Sequence, residues 1–505
     1  MPATSYYYTY TRKSSILSSM SDARALAKNT VVQVAGKIVS IAIGAVIVGI
    51  MTRLLGQEGF GAYSTANAFL QVFAIIIDLG LNIAVVQMLG EHAGDQAYEN
   101  RAVSAVYSLR FWSALILLSL APIIGLFIPV YSPEVKIAFF AIWASFFFTS
   151  LNQIVIGVHQ RHLSMHIVAA AELTGRILLF IGVLIATALH WGLIPVVLIV
   201  SLGGIANFFV NFIVARRYAS FKIGFDWDFW KTTLKKSWPI GISVLFTLIY
   251  YKSDTLILSW VRPMAEVGLY GAAYRVLDIL AAFPFMYSGV LLPMLAKAWV
   301  KKDKQKFARL IQRSFDAFAI ITLPMIAGTL LVADKAMALV AGHEFLGSAN
   351  VLRILILATG CIFIGTIFGH AIVALDRQRD MLWCYIIVAV IALILYWICI
   401  PIWGMWAAAW LTVASELSIA IASTVLTLKS GEFTLPLATM WKALLGSFVM
   451  FIVAYPFSKN SLWLTIAVAI IAYSAVMLAT GAVTKQMVAD LLIARKGGGV
   501  IEDDV

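Results

Sequence analysis

Apolar runs of twenty or more residues recur along this chain from Val31 to Val483. At a rise of 1.5 Å per residue, each is long enough as a helix to cross a hydrocarbon layer about 30 Å thick. Buried helices of soluble proteins are usually shorter, and ordinary soluble domains carry about 25% charged residues. Here 12% of the 505 residues are charged and 62% are hydrophobic. The chain therefore reads as an all-α polytopic membrane protein.

The runs predict about fourteen transmembrane helices, at 31–52, 63–86, 103–129, 137–158, 166–189, 193–214, 239–261, 270–294, 315–341, 350–374, 382–401, 404–427, 440–457 and 461–483. Their even number puts both chain ends on one side, and the distribution of basic residues says which side that is. With a cytoplasmic N-terminus, the outer loops hold only Arg53, Lys136, Arg262, Lys335, Arg353 and Lys459, and the remaining loop Lys and Arg residues fall inside. That bias follows the positive-inside rule. It also accounts for the formal charge of +12 through topology and anionic lipid, with no need for a nucleic-acid partner.

Residues 1–29 are polar, include Tyr6, Tyr7, Tyr8 and Tyr10, and lack the apolar core of a signal peptide, so they read as a cytoplasmic lead-in. Residues 215–237 read as a cytoplasmic amphipathic linker and 486–505 as a cytoplasmic tail. The segments after the sixth and eighth spans, FKIGFDWDFWKTTLKKSW and KAWVKKDKQKFARLIQRS, mix basic residues with Trp and Phe at helical spacing and are predicted to lie on the membrane surface.

Phe60-Gly61-Ala62-Tyr63 opens the second span and Val267-Gly268-Leu269-Tyr270 opens the eighth. The six-span separation is even, so both copies run the same way. This predicts two parallel lobes, 30–214 and 238–428, with 429–485 as two appended helices. In each copy the Gly is expected to let the chain turn tightly and the Tyr to anchor at the interface.

Ionisable groups inside apolar runs are expensive and belong where they face protein or water. They are Lys37, Asp78, Glu172, Arg176, Lys252, Asp254, Arg275, Asp278 and Glu416. Glu172 with Arg176, and Arg275 with Asp278, share a helix face and can neutralise each other. Lys37 and Asp78 have no opposite charge within their own spans. Lys37, Arg176, Lys252 and Arg275 are the candidate lining for an anionic substrate such as a diphosphate or acidic sugar. Asp78, Asp254, Asp278, Glu172 and Glu416 are the candidates for coupling to H+ or Na+. Pro122, Pro284, Pro293 and Pro324 fall within spans, where each removes a backbone donor and can bend the helix.

Other chemistry leaves no mark. The sequence holds no phosphate-binding GxxxxGK[ST] loop, kinase motif or dinucleotide fingerprint. Cys361, Cys384 and Cys399 have no CxxC spacing, and the histidines have no ligand spacing, so no metal site and no cofactor is expected. The outer loops are too short for a sizeable catalytic site.

Three segments carry a family resemblance. They are NTVVQVAGKIVSIAIGAVIVGIMTRLLGQEGFGAYSTANAFLQVFAIIIDLGLNIAVVQ, then YYKSDTLILSWVRPMAEVGLYGAAYRVLDIL, and HAIVALDRQRDMLWCYIIVAVIALILYWICIPIWGMWAAAWLTVASEL. The second is the most specific, with Asp254 in the seventh span and Gly268, Tyr270, Ala273 and Arg275 opening the eighth. In the third, Trp403 and Trp406 depart from the family pattern. Over residues 25–485 the chain resembles the polysaccharide (O-antigen and exopolysaccharide) flippases of the multidrug, oligosaccharidyl-lipid and polysaccharide exporter superfamily.

The resemblance implies two six-helix lobes around a central cavity, alternating access, and movement of a polyprenyl-diphosphate-linked oligosaccharide from the inner to the outer leaflet of the plasma membrane. A glycan polymerase or ligase would then be a partner. Four alternatives stay open: a multidrug or cation antiporter of the same fold, a flippase for a lipid-linked peptidoglycan precursor, a membrane glycan polymerase or ligase, and a structural membrane protein.

Overall fold

A computed structural model describes residues 20–78, 81, 95–162 and 164–482. The tyrosine cluster and the expected tail at 486–505 lie outside the described residues. The described residues form helices, and no strand occurs among them. A helix satisfies its own backbone donors and acceptors, which lipid cannot do.

The first helix runs from Met20 to Asp78 but is broken at Gly56, whose φ of 63° and ψ of −173° are not helical. Segments 20–55 and 57–78 are α1 and α2. There follow α3 (Gln96–Leu126), α4 (Pro133–Arg161), α5 (Met165–Ala188), α6 (Leu193–Ala215), α7 (Trp227–Val261), α8 (Met264–Val300), α9 (Lys304–Val340), α10 (Gly347–Ala374), α11 (Gln378–Trp403), α12 (Met405–Gly431), α13 (Ala438–Ala454) and α14 (Leu462–Ala479). Twelve helices among the described residues are long and apolar enough to cross a membrane. One of the twelve, Gly36–Asp78, takes in α2 and most of α1, and α7 carries the apolar run 239–261, so a described helix stands at each of the fourteen expected spans, that of 63–86 as far as Asp78.

Outward-facing apolar rows confirm the solvent. Ile177, Ile181 and Ile185 of α5 are 48%, 50% and 47% exposed, and Ile387, Ile391, Ile394 and Ile398 of α11 are exposed likewise. Contiguous apolar stripes on the outside of a protein belong against lipid. Inside, small residues let helices approach. A Cβ on Gly175 of α5 would lie 2.6 Å from the Gly203 carbonyl of α6, and one on Gly36 of α1 would lie 3.0 Å from the Ala169 Cβ of α5.

The chain divides into two compact units, Met1–Ala272 with Val340–Glu344 and Ala389–Ala408, and Ala273–Leu339 with Phe345–Val388 and Ala409–Val505. In the first, a core of Val103, Val106, Leu118, Leu151, Val155 and Phe208 joins α3, α4 and α6. In the second, Leu295, Phe307, Ile311, Phe318, Phe363 and Ile367 join α8, α9 and α10.

Of the first segment expected to lie on the membrane surface, residues 221–226 are not helical and 227–238 open α7. Residues 217–226 are not helical, because α3 binds their backbone. Asn100, Ser104 and Ser108, one turn apart on α3, meet them in turn. Asn100 accepts from Ser220 N at 2.8 Å, Ser104 Oγ donates to the Ser220 carbonyl at 2.7 Å, and Ser108 Oγ donates to the Lys222 carbonyl at 2.8 Å. Asp226 ends the strap, accepting from Arg101 Nε at 2.9 Å and capping α7 through Phe229 N at 3.2 Å. The pairing with Arg101 holds the Asp226 carboxyl below the usual aspartate range. In the other segment, 297–300 end α8 and 304–314 open α9, with Phe307 and Ile311 fully buried against protein.

Candidate functional site

The repeated glycines do not serve as turns. The positive φ falls at Gly56, while Gly61 and Gly268 sit inside α2 and α8 and face each other. A Cβ on Gly61 would lie 1.9 Å from the Met264 carbonyl oxygen, and one on Gly268 would lie 2.0 Å from that of Gln57. Each glycine thus meets the carbonyl four residues before the other, so the repeat contacts itself with two-fold reciprocity. Tyr270 is not an interfacial anchor either. It is fully buried, and its hydroxyl donates to Asp254 Oδ2.

Nearby turns are gripped by side chains. Arg53 donates to the Val340 carbonyl at 3.2 Å. Glu266 accepts from Met405 N at 2.7 Å, beside Gly404 at φ 57°, and Arg262 lies 3.4 Å from Glu266.

Among the intramembrane charges, α1 and α5 build the most distinctive group. Lys37, Ser40 and Gly44 recur at helical spacing on one face of α1, opposite Glu172 and Arg176 at i and i+4 on α5. Lys37 Nζ lies 2.8 Å from Glu172 Oε1, and Ser40 Oγ donates to that same oxygen at 2.8 Å. The Arg176 guanidinium fills the space that Gly44 leaves open, 3.3 Å from where its Cβ would be. Arg176 is within electrostatic reach of Glu172 but makes no hydrogen bond among the described residues. Two cations therefore share one carboxylate, and the group carries a net positive charge. Lys37 is 41% exposed and Glu172 23%, so the group is not sealed inside the protein.

The other candidates are engaged differently. Asp78 pairs with Arg110, a residue the sequence reading missed. Arg110 is 1% exposed and also donates to the carbonyls of Ile77 at 2.9 Å and Ser150 at 3.1 Å. Its place within the run 103–129 was the available signal. Asp254 is fully buried, accepts from Thr255 Oγ1 at 3.1 Å as well as from Tyr270, and has Lys252 in electrostatic reach. Arg275 and Asp278 pair along α8 at 3.8 Å, as their spacing predicts.

Glu416 on α12 stands apart. It is 8% exposed, lies in electrostatic reach of Cys361 on α10 and Tyr385 on α11, and has no hydrogen-bond or ion-pair partner among the described residues. No group of three or more His, Cys, Asp or Glu side chains able to hold a metal occurs among those residues.

Comparison with known proteins places this architecture. The polysaccharide biosynthesis protein family matches residues 26–299, and the MatE family matches 239–398. The chain is 24% identical over 388 residues to the "Probable low-salt glycan biosynthesis flippase Agl15" of Haloferax volcanii, covering 74% of this chain and 76% of that protein. It is also 24% identical over 375 residues to a "Putative O-antigen transporter" of Shigella flexneri, covering 70% and 85%.

Among solved structures, "Lipid II flippase MurJ, inward closed conformation" matches with a TM-score of 0.76 at 18% identity, covering 88% of this chain and 98% of that one. An inward-facing multidrug resistance MATE family transporter matches at 0.64 and 14% identity, covering 80% and 98%. The fold is thus MATE-like, and the chain belongs to the polysaccharide biosynthesis protein family, the polysaccharide flippases of the multidrug, oligosaccharidyl-lipid and polysaccharide exporter superfamily.

Proposed function

We propose that this protein is a flippase carrying a polyprenyl-diphosphate-linked oligosaccharide from the inner to the outer leaflet. The α1–α5 group carries this reading: Lys37 and Arg176 both lie within electrostatic reach of a single carboxylate, Glu172, in otherwise apolar spans. A surplus cation at membrane depth is costly unless it has work to do, and a diphosphate supplies the missing negative charge. In this reading the lobes 30–214 and 238–428 alternate access to the substrate while its lipid tail stays in the bilayer. Lys252, in the same compact unit, is a further candidate cation. The membrane is the plasma membrane, with both chain ends cytoplasmic, and a glycan polymerase or ligase receives the product.

For ion coupling, the partners found for Asp78, Asp254, Asp278 and Glu172 favour Glu416, a buried carboxyl with no hydrogen-bond or ion-pair partner among the described residues. Such a group can take H+ or Na+ without first giving up a protein partner.

The test is depletion of the protein in its own cell, with lipid-linked oligosaccharides, surface glycan and resistance to cationic drugs measured together. One discrete lipid-linked unit is expected to accumulate on the cytoplasmic side as surface glycan is lost. Unchanged lipid-linked glycan with heightened drug sensitivity would overturn the reading in favour of an antiporter.

A further inference from the structure

We propose that Glu172 is a built-in competitor of the substrate. It occupies the anion site when the site is empty, yields its cations to the diphosphate, and by reclaiming them sets how readily the diphosphate leaves. This rests on the flippase reading above.

The geometry of one oxygen carries the inference. Lys37 Nζ and Ser40 Oγ, on successive turns of α1, converge on Glu172 Oε1 at 2.8 Å each. A cationic donor and a hydroxyl donor aimed at a single point make a receptor for an anionic oxygen. A carboxylate oxygen fills that receptor here, and a phosphoryl oxygen has the same requirements. Arg176 sits one turn further along α5, making no hydrogen bond among the described residues, and Gly44 leaves room for its guanidinium. Glu172 and Arg176 are one turn apart on α5, which puts their Cβ atoms about 5–6 Å apart, so a second phosphoryl group linked to one at the Glu172 position extends toward Arg176.

The competition follows from charge. A diphosphate brings more negative charge than a carboxylate and engages both cations at once, whereas Glu172 reaches only Lys37 by direct contact. Displaced, Glu172 lies beside the bound anion and repels it. Net affinity is then the difference between two sets of contacts to the same cations. A transporter must release what it binds, and a tethered competitor weakens the bound state without removing the donors that give it specificity. The alternative role, a salt bridge that holds α1 against α5, predicts the opposite response to its removal, because loss of Glu172 would loosen the donors.

Binding of farnesyl diphosphate to the purified full-length protein in nanodiscs distinguishes the two. Glu172→Gln keeps the shape of the side chain and removes its charge, and is expected to tighten binding about tenfold while slowing export of glycan. Lys37→Met is expected to weaken binding by at least a similar factor. Glu172→Asp, which keeps the charge but withdraws it by one methylene, is expected to fall on the tighter side of wild type and serves if Glu172→Gln does not fold.

A folded Glu172→Gln or Glu172→Asp variant that binds farnesyl diphosphate no more tightly than wild type overturns the proposal, as does the absence of binding by wild type and variants alike. If depletion abolishes surface glycan while these affinities stay equal, the competitor role alone is wrong. If depletion leaves surface glycan and lipid-linked intermediates unchanged, the flippase reading itself has failed.

Discussion

Adding one methyl group at Gly61 or Gly268 tests whether the reciprocal crossing of α2 and α8 is a real constraint. In an open helical position Gly→Ala stabilises by about 1 kcal/mol, because alanine loses less backbone entropy. At this crossing, however, the new Cβ would stand 1.9 Å from the Met264 carbonyl oxygen, or 2.0 Å from that of Gln57, where ordinary contact begins at 3.4 Å. Both oxygens sit within helix backbone and cannot swing aside, so the helices must part by about 1.5 Å. Forced overpacking of this kind costs about 1–3 kcal/mol, which exceeds the propensity gain over most of its range.

Each single variant is therefore expected to lower the thermal midpoint of the purified protein, compared at one scan rate because unfolding of such a chain is irreversible. Gly328→Ala on α9, with nothing within 4 Å of its Cβ, is expected to hold or raise it. One separation relieves both clashes, so Gly61→Ala/Gly268→Ala should fall close to the worse single variant, well short of the sum. Single variants that match Gly328→Ala, or a double variant at the full sum, would refute the reciprocal contact.

Arg110→Met removes the buried partner of Asp78 and the donor to two carbonyls, and is expected to destabilise by about 3–5 kcal/mol, with partial recovery on adding Asp78→Asn; thermal midpoints of the three variants check it. Gly404→Ala puts a Cβ 1.9 Å from Glu266 Oε1 at a φ of 57°, and should lower the midpoint more than Gly192→Ala, whose Cβ meets nothing within 4 Å. The Asp226 carboxyl is held below its unfolded value of about 3.9, so its contact with Arg101 stabilises fully above that pH and is lost only as pH falls through the lower folded value. Midpoints of wild type and Asp226→Asn are thus expected to differ by a constant amount from pH 5 to 8 and to converge below about pH 4. Glu416→Gln should leave farnesyl diphosphate binding unchanged while abolishing the response of glycan export to an imposed proton or sodium gradient.

The spans were legible because each is a local property of composition: a run of apolar residues states its own solvent. The pairing of charges across helices was not. Lys37 stood out as a cation alone in its run, but nothing local to residues 31–52 points to Glu172, 135 positions away, as the carboxylate that it meets. Glu172 and Arg176 share a face as their spacing requires, yet the direct contact goes to Lys37 because Gly36 and Gly44 bring α1 close. The glycine repeat was visible as a pattern and misread as a turn, since sequence shows that a side chain is absent and not what fills the vacancy. Tyr270 was misread for a related reason. Its place at a helix start suggests an interface, and only the fold shows α7 delivering Asp254 to its hydroxyl.

Intramembrane charges become informative once their partners are known. A charged pair such as Asp78 with Arg110 satisfies itself, and its contacts with the Ile77 and Ser150 carbonyls explain its presence through packing alone. Arg176 and Glu416 are different, because neither has a hydrogen-bond or ion-pair partner among the described residues: Arg176 is half-buried with Glu172 in electrostatic reach, Glu416 is buried, and ionisable groups placed so are costly in a membrane helix. One is a cation beside a receptor already shaped for an anionic oxygen; the other is a carboxyl enclosed by α10, α11 and α12. On the proposed reading, Arg176 is the positive charge that meets an anion and Glu416 the carboxyl that meets a cation.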